Sequence, residues 1–208
     1  MVHSSWQQTI NNAYGKLDET YRLYLERDKG YFPARHHYFN AFKTVPREKV
    51  RYILFGQDPY PREESATGYA FIDGKVSRIF SDSGLSKEVN RATSLRNFIK
   101  MALLARGDLT AGDTSQEAIA RVDKSPLIGS IGELRDHFEK NGVLLLNTAL
   151  VFSSKAESRK HIKAWQPFVE KLLEEMRDID PTLILFGTHA KALKKLKGIE
   201  TFQAIELE

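Results

Sequence analysis

The 208-residue chain contains no cysteine. That excludes disulfides, a thiol nucleophile and any iron–sulfur cluster held by thiolates. Long apolar runs are missing as well. Nothing approaches the roughly 20 residues that cross a bilayer, and the N-terminus lacks the apolar core of a secretory signal. The expectation is a cytoplasmic protein, or a nuclear one if the source has a nucleus, with no membrane partner. Internal repeats and low-complexity tracts are absent, which removes solenoids and biased linkers from the candidates. In Arg35-His36-His37, adjacent histidines point in different directions and no carboxylate stands at a ligand spacing, so these read as surface residues and not a metal site.

What is present belongs to an ordinary globular protein. Apolar residues make up 41% and charged residues 28% of the chain, and its length can bury a sizeable core without staples. A net charge of +4 and a pI near 9.1 permit a polyanionic partner without demanding one.

In chain order, residues 5–28 have Trp6, Ile10, Ala13, Tyr14, Leu17, Tyr21 and Tyr24 at helical spacing, which predicts one amphipathic helix closed by Gly30 and Pro33. Phe39, Ala41, Phe42 and Val45 form a short apolar segment ended by Pro46. The run Val50–Phe55 reads as a parallel strand buried on both faces, and Gly56 ends it. Residues 61–67 read as a polar loop and 68–71 as a short extended piece. A helix is expected over 94–105, with Ser94 near its start, then a polar stretch over 107–126 carrying at most a short helix near 117–122. A helix near 130–140 leads into a second strand, Val143–Asn147. Another helix over 161–178 ends before Asp180-Pro181. A third strand follows over 182–186, a basic helix over 188–197 and a fourth strand over 201–207. Strands alternating with helices predict an α/β fold. A central four-stranded parallel twisted sheet would lie in a three-layer arrangement, with helices on both faces, in a single domain spanning 1–208.

Ligands of open α/β sheets sit outside the carboxyl ends of the strands. Three strands deliver polar groups there: Gln57, Asp58 and Tyr60 after the first, Asn147 at the end of the second, Thr188 and His189 after the third. Pro59 forces Asp58 into extended backbone, which fixes the direction of its carboxylate. An ordinary strand exit closed by an Asp-Pro turn would read the same way, Asn147 could be a strand-end turn residue, and Tyr60 and Phe71 could be core residues. What favours a site is convergence in one crevice.

Gly56-Gln57-Asp58-Pro59-Tyr60 resembles the water-activating motif of uracil-DNA glycosylases. The resemblance extends in order through Tyr31-Phe32-Pro33, Phe39-Asn40-Ala41-Phe42, Gly68-Tyr69-Ala70-Phe71, Gly142–Thr148 and Phe186-Gly187-Thr188-His189-Ala190, so it covers the chain from about Tyr31 onward. It implies hydrolysis of uracil from single- or double-stranded DNA by base flipping, leaving an abasic site, with no metal or cofactor. A monomer is expected. By resemblance Asp58 orients the water and Gln57 lies where backbone amides meet the uracil. Tyr60 excludes the thymine methyl, Phe71 stacks on the base and Asn147 reads its edge. Ser94, Gly187, Thr188, His189 and Lys191 would contact DNA, with His189 structural or backbone-contacting and not catalytic. The absence of cysteine excludes the cluster-carrying glycosylase subclasses.

The sequence departs from the family in two places. Pro61 stands where most members have histidine. The His-Pro pair of the last family motif occurs nowhere, and the chain ends at Glu208 where that motif should begin. Either the sequence is partial or the protein lacks the elements of that motif; truncation is the favoured expectation, with the chain as given slow and biased toward single-stranded DNA. Two other readings are open. One is a DNA-binding scaffold on the same fold with catalysis impaired. The other is a flavodoxin-like small-molecule binder, disfavoured because no glycine-rich phosphate loop follows the first strand.

Overall fold

Short apolar runs become strands in the computed structural model, which describes residues 1–27, 29–186, 192–196 and 199–207. The strands are β1 (Tyr52–Gly56), β2 (Phe80–Ser81), β3 (Gly84–Leu85), β4 (Val143–Asn147), β5 (Thr182–Phe186) and β6 (Ala204–Leu207). The helices are α1 (Gln7–Tyr14), α2 (Glu19–Glu26), α3 (Lys87–Arg91), α4 (Thr93–Arg106), α5 (Gln116–Arg121), α6 (Ile131–Lys140) and α7 (Ser158–Glu174). By packing, the chain divides into two compact units, Met1–Ala70 with Phe138–Glu208, and Phe71–His137.

The first unit holds the predicted parallel sheet, in the order β4-β1-β5-β6 with helices around it. The chain begins the sheet at β1, steps to one side for β4 and then to the other for β5 and β6. The strand order therefore reverses beside β1, and ligand crevices open at the carboxyl ends of strands at such a switch. Register puts Ile53 beside Leu144 and Leu183, and Phe55 beside Leu146 and Leu185. Those six side chains share one face and pack with Trp6 and Ile10 of the N-terminal segment, Leu25 of α2, and Trp165, Phe168 and Leu172 of α7. The opposite face is buried as well at Leu54 and Leu145, which is why both strands read as continuous apolar runs instead of alternating ones. Trp165 and Phe168 meet edge to face, ring centroids 5.2 Å apart, and the Trp6 indole N–H donates to the Val45 carbonyl at 2.8 Å.

The second unit carries the two-stranded antiparallel β2–β3 ribbon and helices α3 to α5, with α6 running out of it. Its helices are capped by side chains. Ser86 Oγ accepts from Val89 N, and Ser115 Oγ accepts from Ala118 N. At the start of α6, Ser130 Oγ accepts from Glu133 N while Glu133 Oε2 accepts from Ser130 N, a reciprocal capping box. The polar 107–126 stretch lies inside this unit, and its short helix is α5.

Several elements differ from expectation. The helix expected over 5–28 is two helices, because Asp18 Oδ1 accepts from Tyr21 N and starts α2 afresh after a break at Gly15–Leu17. Residues 68–71 are turn, not extended, with Gly68 and Phe71 both at positive φ. The helix expected over 161–178 begins at Ser158 and ends at Glu174, carrying Pro167 inside it. The fourth strand is shorter than 201–207, since Ile199–Thr201 forms a 3-10 turn ahead of β6. Of the basic helix expected over 188–197, the described part is a 3-10 turn at Ala192–Lys195; residues 187–191, 197 and 198 lie outside the described residues.

Phe168 is fully buried where α7 meets the sheet-facing core. Its truncation to alanine should cost about 3–5 kcal/mol of unfolding free energy. Urea titration should show this as a lower midpoint at unchanged slope.

Candidate active site

The site is built from the carboxyl end of β1. Gly56 pairs with Asn147 as the last rung of the β1–β4 ladder. The bonding then continues past the strands: Thr148 N donates to Gly56 O and Ala149 N to Gln57 O, both at 3.0 Å, and Thr148 Oγ1 donates to Gln57 O at 2.6 Å. Two loops that could splay apart are thereby held together. Asn147 is buried at 5% exposure, and its side-chain Oδ1 lies so close over Gly56 that a Cβ there would collide with it. Glycine is required at 56 by this approach and not by its backbone angles.

Asp58 follows, half-buried, between Gln57 and the buried Pro59. Its Oδ2 accepts from Ser158 Oγ at 2.5 Å. Gln57 Nε2 lies 3.2 Å from Ser158 Oγ and 3.4 Å from Asp58 Oδ2, which closes a triangle of polar groups. Tyr60 is half-buried two residues on. Within the first unit, Asp58, Gln57, Tyr60 and Asn147 therefore gather at the carboxyl ends of β1 and β4. The 67–70 turn is fastened to β4 by Ala70 N donating to Leu145 O at 3.1 Å, and to the 3-10 turn at Asn40–Phe42 by Asn40 Nδ2 donating to Thr67 O at 2.8 Å.

Phe71 and Ser94 belong to the second unit. Phe71 is 5% exposed, with its ring centroid 5.8 Å from that of Phe98 on α4, and its φ of 64° is left-handed. Ser94 is exposed in the first turn of α4. Gly187, Thr188, His189 and Lys191 lie outside the described residues. Arg35, His36 and His37 are exposed, as expected. Among the described residues no group of three or more His, Cys, Asp or Glu could hold a metal ion.

The sequence reading passed over Ser158, because it started α7 three residues late. The available signal was helical spacing running back from Trp165 through His161 to Ser158. His161 itself is 3% exposed; its Nδ1 lies 2.6 Å from Tyr21 Oη and its Nε2 2.8 Å from Ser153 Oγ. A neutral imidazole donates at one nitrogen and accepts at the other, and two hydroxyls satisfy either tautomer. Burial pushes the His161 pKa below its usual value, and nearby Glu157 opposes this only partly.

The family model of the Uracil DNA glycosylase superfamily matches residues 42–205. The chain belongs to that superfamily. The resemblance read from Gly56–Tyr60 and the ordered segments around it is thus borne out. A uracil-DNA glycosylase of Pseudomonas aeruginosa (strain UCBPP-PA14) is 28% identical over 204 residues, covering 94% of this chain and 74% of that protein. The crystal structure of wild-type UNG from Nitratifractor salsuginis is 56% identical with a TM-score of 0.92, covering all of this chain and 83% of that one. The mimivirus uracil-DNA glycosylase, at 19% identity and a TM-score of 0.64, shares the fold over 99% of this chain and 68% of its own.

Two outcomes follow for this superfamily member. Gly56→Ala should force Asn147 off its position and cost about 1–3 kcal/mol by overpacking; urea unfolding and a crystal structure of the variant check both. The His161 pKa is lower folded than unfolded, so the unfolded chain takes up the proton first as pH falls. The contribution of His161 is therefore complete above about pH 6.5 and lost progressively below it. Unfolding free energies measured from pH 8 to 5 should decline less steeply in His161→Asn than in the parent.

Proposed function

We propose that this chain, working as one domain, removes uracil from DNA by hydrolysing the N-glycosidic bond of a flipped-out nucleotide, leaving an abasic site as in base-excision repair. One observation carries the reading: a fixed carboxylate, Asp58, and a buried amide, Asn147, stand at the ends of neighbouring strands whose last rung is the Gly56–Asn147 pair. Cleavage builds positive charge on the sugar, and a carboxylate held in place stabilises that charge and orients the attacking water. The water oxygen bonds to C1′ and its proton passes to Asp58. The C1′–N1 bond breaks, and its electron pair leaves with uracil as a delocalised anion. That leaving group calls for hydrogen bonds to its oxygens, not a metal or cofactor.

In this reading Asn147 offers both a donor and an acceptor to uracil's O4 and N3–H edge, an arrangement that leaves cytosine with mispaired groups at about 1–3 kcal/mol each. Tyr60 excludes the thymine methyl, and Gln57 lines the uracil site. Phe71 as stacking ring, and Ser94, Gly187, Thr188, His189 and Lys191 as DNA contacts, take these roles from the family resemblance. The substrate is uracil-containing DNA, single- or double-stranded, and the protein acts as a cytoplasmic monomer. A catalytically silent DNA-binding scaffold is the poorer reading, because the carboxylate and the amide are both in place.

Asp58→Asn should lower turnover on a uracil-containing oligonucleotide by about 10² or more with DNA affinity nearly intact; wild-type turnover in that variant would remove Asp58 from the chemistry. Tyr60→Ala should begin to release thymine while still releasing uracil, read by chromatography of the freed bases. With about three or four phosphates neutralised, the slope of log affinity against log salt should be near −3. A flat salt dependence would remove DNA from the partners.

A further inference from the structure

We propose that Ser158 is the positioning residue that sets the orientation of the Asp58 carboxylate, an inference that rests on the glycosylase reading of Asp58. A carboxylate on a short side chain turns broadly about its last torsion. Here one oxygen, Oδ2, is pinned at 2.5 Å by the Ser158 hydroxyl, so the plane of the carboxylate and the direction of its other oxygen are set together. A serine hydroxyl has a single proton. Since it is given to Asp58, the 3.2 Å contact from Gln57 Nε2 must be a donation into Ser158 Oγ. One hydroxyl thus orders both side chains that follow β1.

Four further observations favour positioning over incidental packing. Ser158 is the first residue of α7, yet its hydroxyl is not spent on capping that helix; the N-cap position is Glu157, which makes no side-chain cap bond. Ser158 is 6% exposed, so its bond to Asp58 meets little competition from water. The helix that carries it is immobilised one turn on by His161, held at both ring nitrogens by Tyr21 and Ser153, and two turns on by the fully buried Trp165. The N-terminal end of a 17-residue helix also presents its positive end toward a carboxylate bound there.

The test is a double-mutant cycle on a uracil-containing single-stranded oligonucleotide, with alkaline cleavage of abasic sites as readout. Ser158→Ala should lower kcat about 10- to 30-fold, the loss expected for a hydrogen bond to a charged group, with KM changed less than about twofold. Ser158→Thr, which keeps the hydroxyl, should recover most of that rate. In an Asp58→Asn background, adding Ser158→Ala should cost less than about twofold more, because the group it positions is already gone. If Ser158→Ala does not fold, Ser158→Cys, of similar volume and with a weak donor, takes its place in the cycle. An equal loss in both backgrounds, a loss confined to KM, or wild-type kcat for Ser158→Ala beside an inactive Asp58→Asn overturns the role of Ser158 alone. Wild-type kcat for Asp58→Asn overturns the reading on which it rests.

Discussion

The geometry at the top of the sheet depends on one close approach, the Asn147 side chain lying over the Cα of Gly56. The approach is possible because β1 and β4 are parallel neighbours in register and because residue 56 has no side chain. It holds because the ladder does not stop with the strands but runs on through Thr148 and Ala149 to the carbonyls of Gly56 and Gln57. A polar amide is thereby buried at a fixed place beside a carboxylate-bearing loop, and both inherit the rigidity of the sheet instead of the looseness of surface turns.

The same sheet is steadied from one face by the N-terminal helices and α7. Trp6, Leu25, Trp165 and Phe168 fill the space over Ile53, Phe55, Leu144 and Leu146. Helix α7 therefore has two jobs. Its apolar side, Trp165 through Leu173, builds the core, and its first turn carries Ser158 to Asp58. A helix anchored so deeply transmits little motion to the residue at its tip.

The sheet was legible because its strands are buried on both faces, which produces apolar runs that few other elements share. The motif residues were legible for a related reason: they follow those runs at once. Helix boundaries were less so. The apolar spacing from Trp6 to Tyr24 passes through the break at Gly15–Leu17, since Leu17 is itself buried, and only the cap at Asp18 marks the second start. The start of α7 was hidden because Arg159 and Lys160 follow Ser158 and give no apolar signal. The β2–β3 ribbon offers two residues per strand, too few for alternation to register. The side-chain caps at Ser86, Ser115 and Ser130 fix helix starts that apolar periodicity does not define.

Phe71 carries a tension that bears on how this chain can change. A left-handed backbone costs a non-glycine residue about 1–2 kcal/mol, and an aromatic pays it here at φ 64°. Glycine would relieve the backbone but surrender the buried ring beside Phe98. The ring outweighs the strain, since truncating a buried phenylalanine costs about 3–5 kcal/mol. Consensus or stability-guided engineering that scores only the folded backbone would erase a residue whose retention makes sense only by what its ring does.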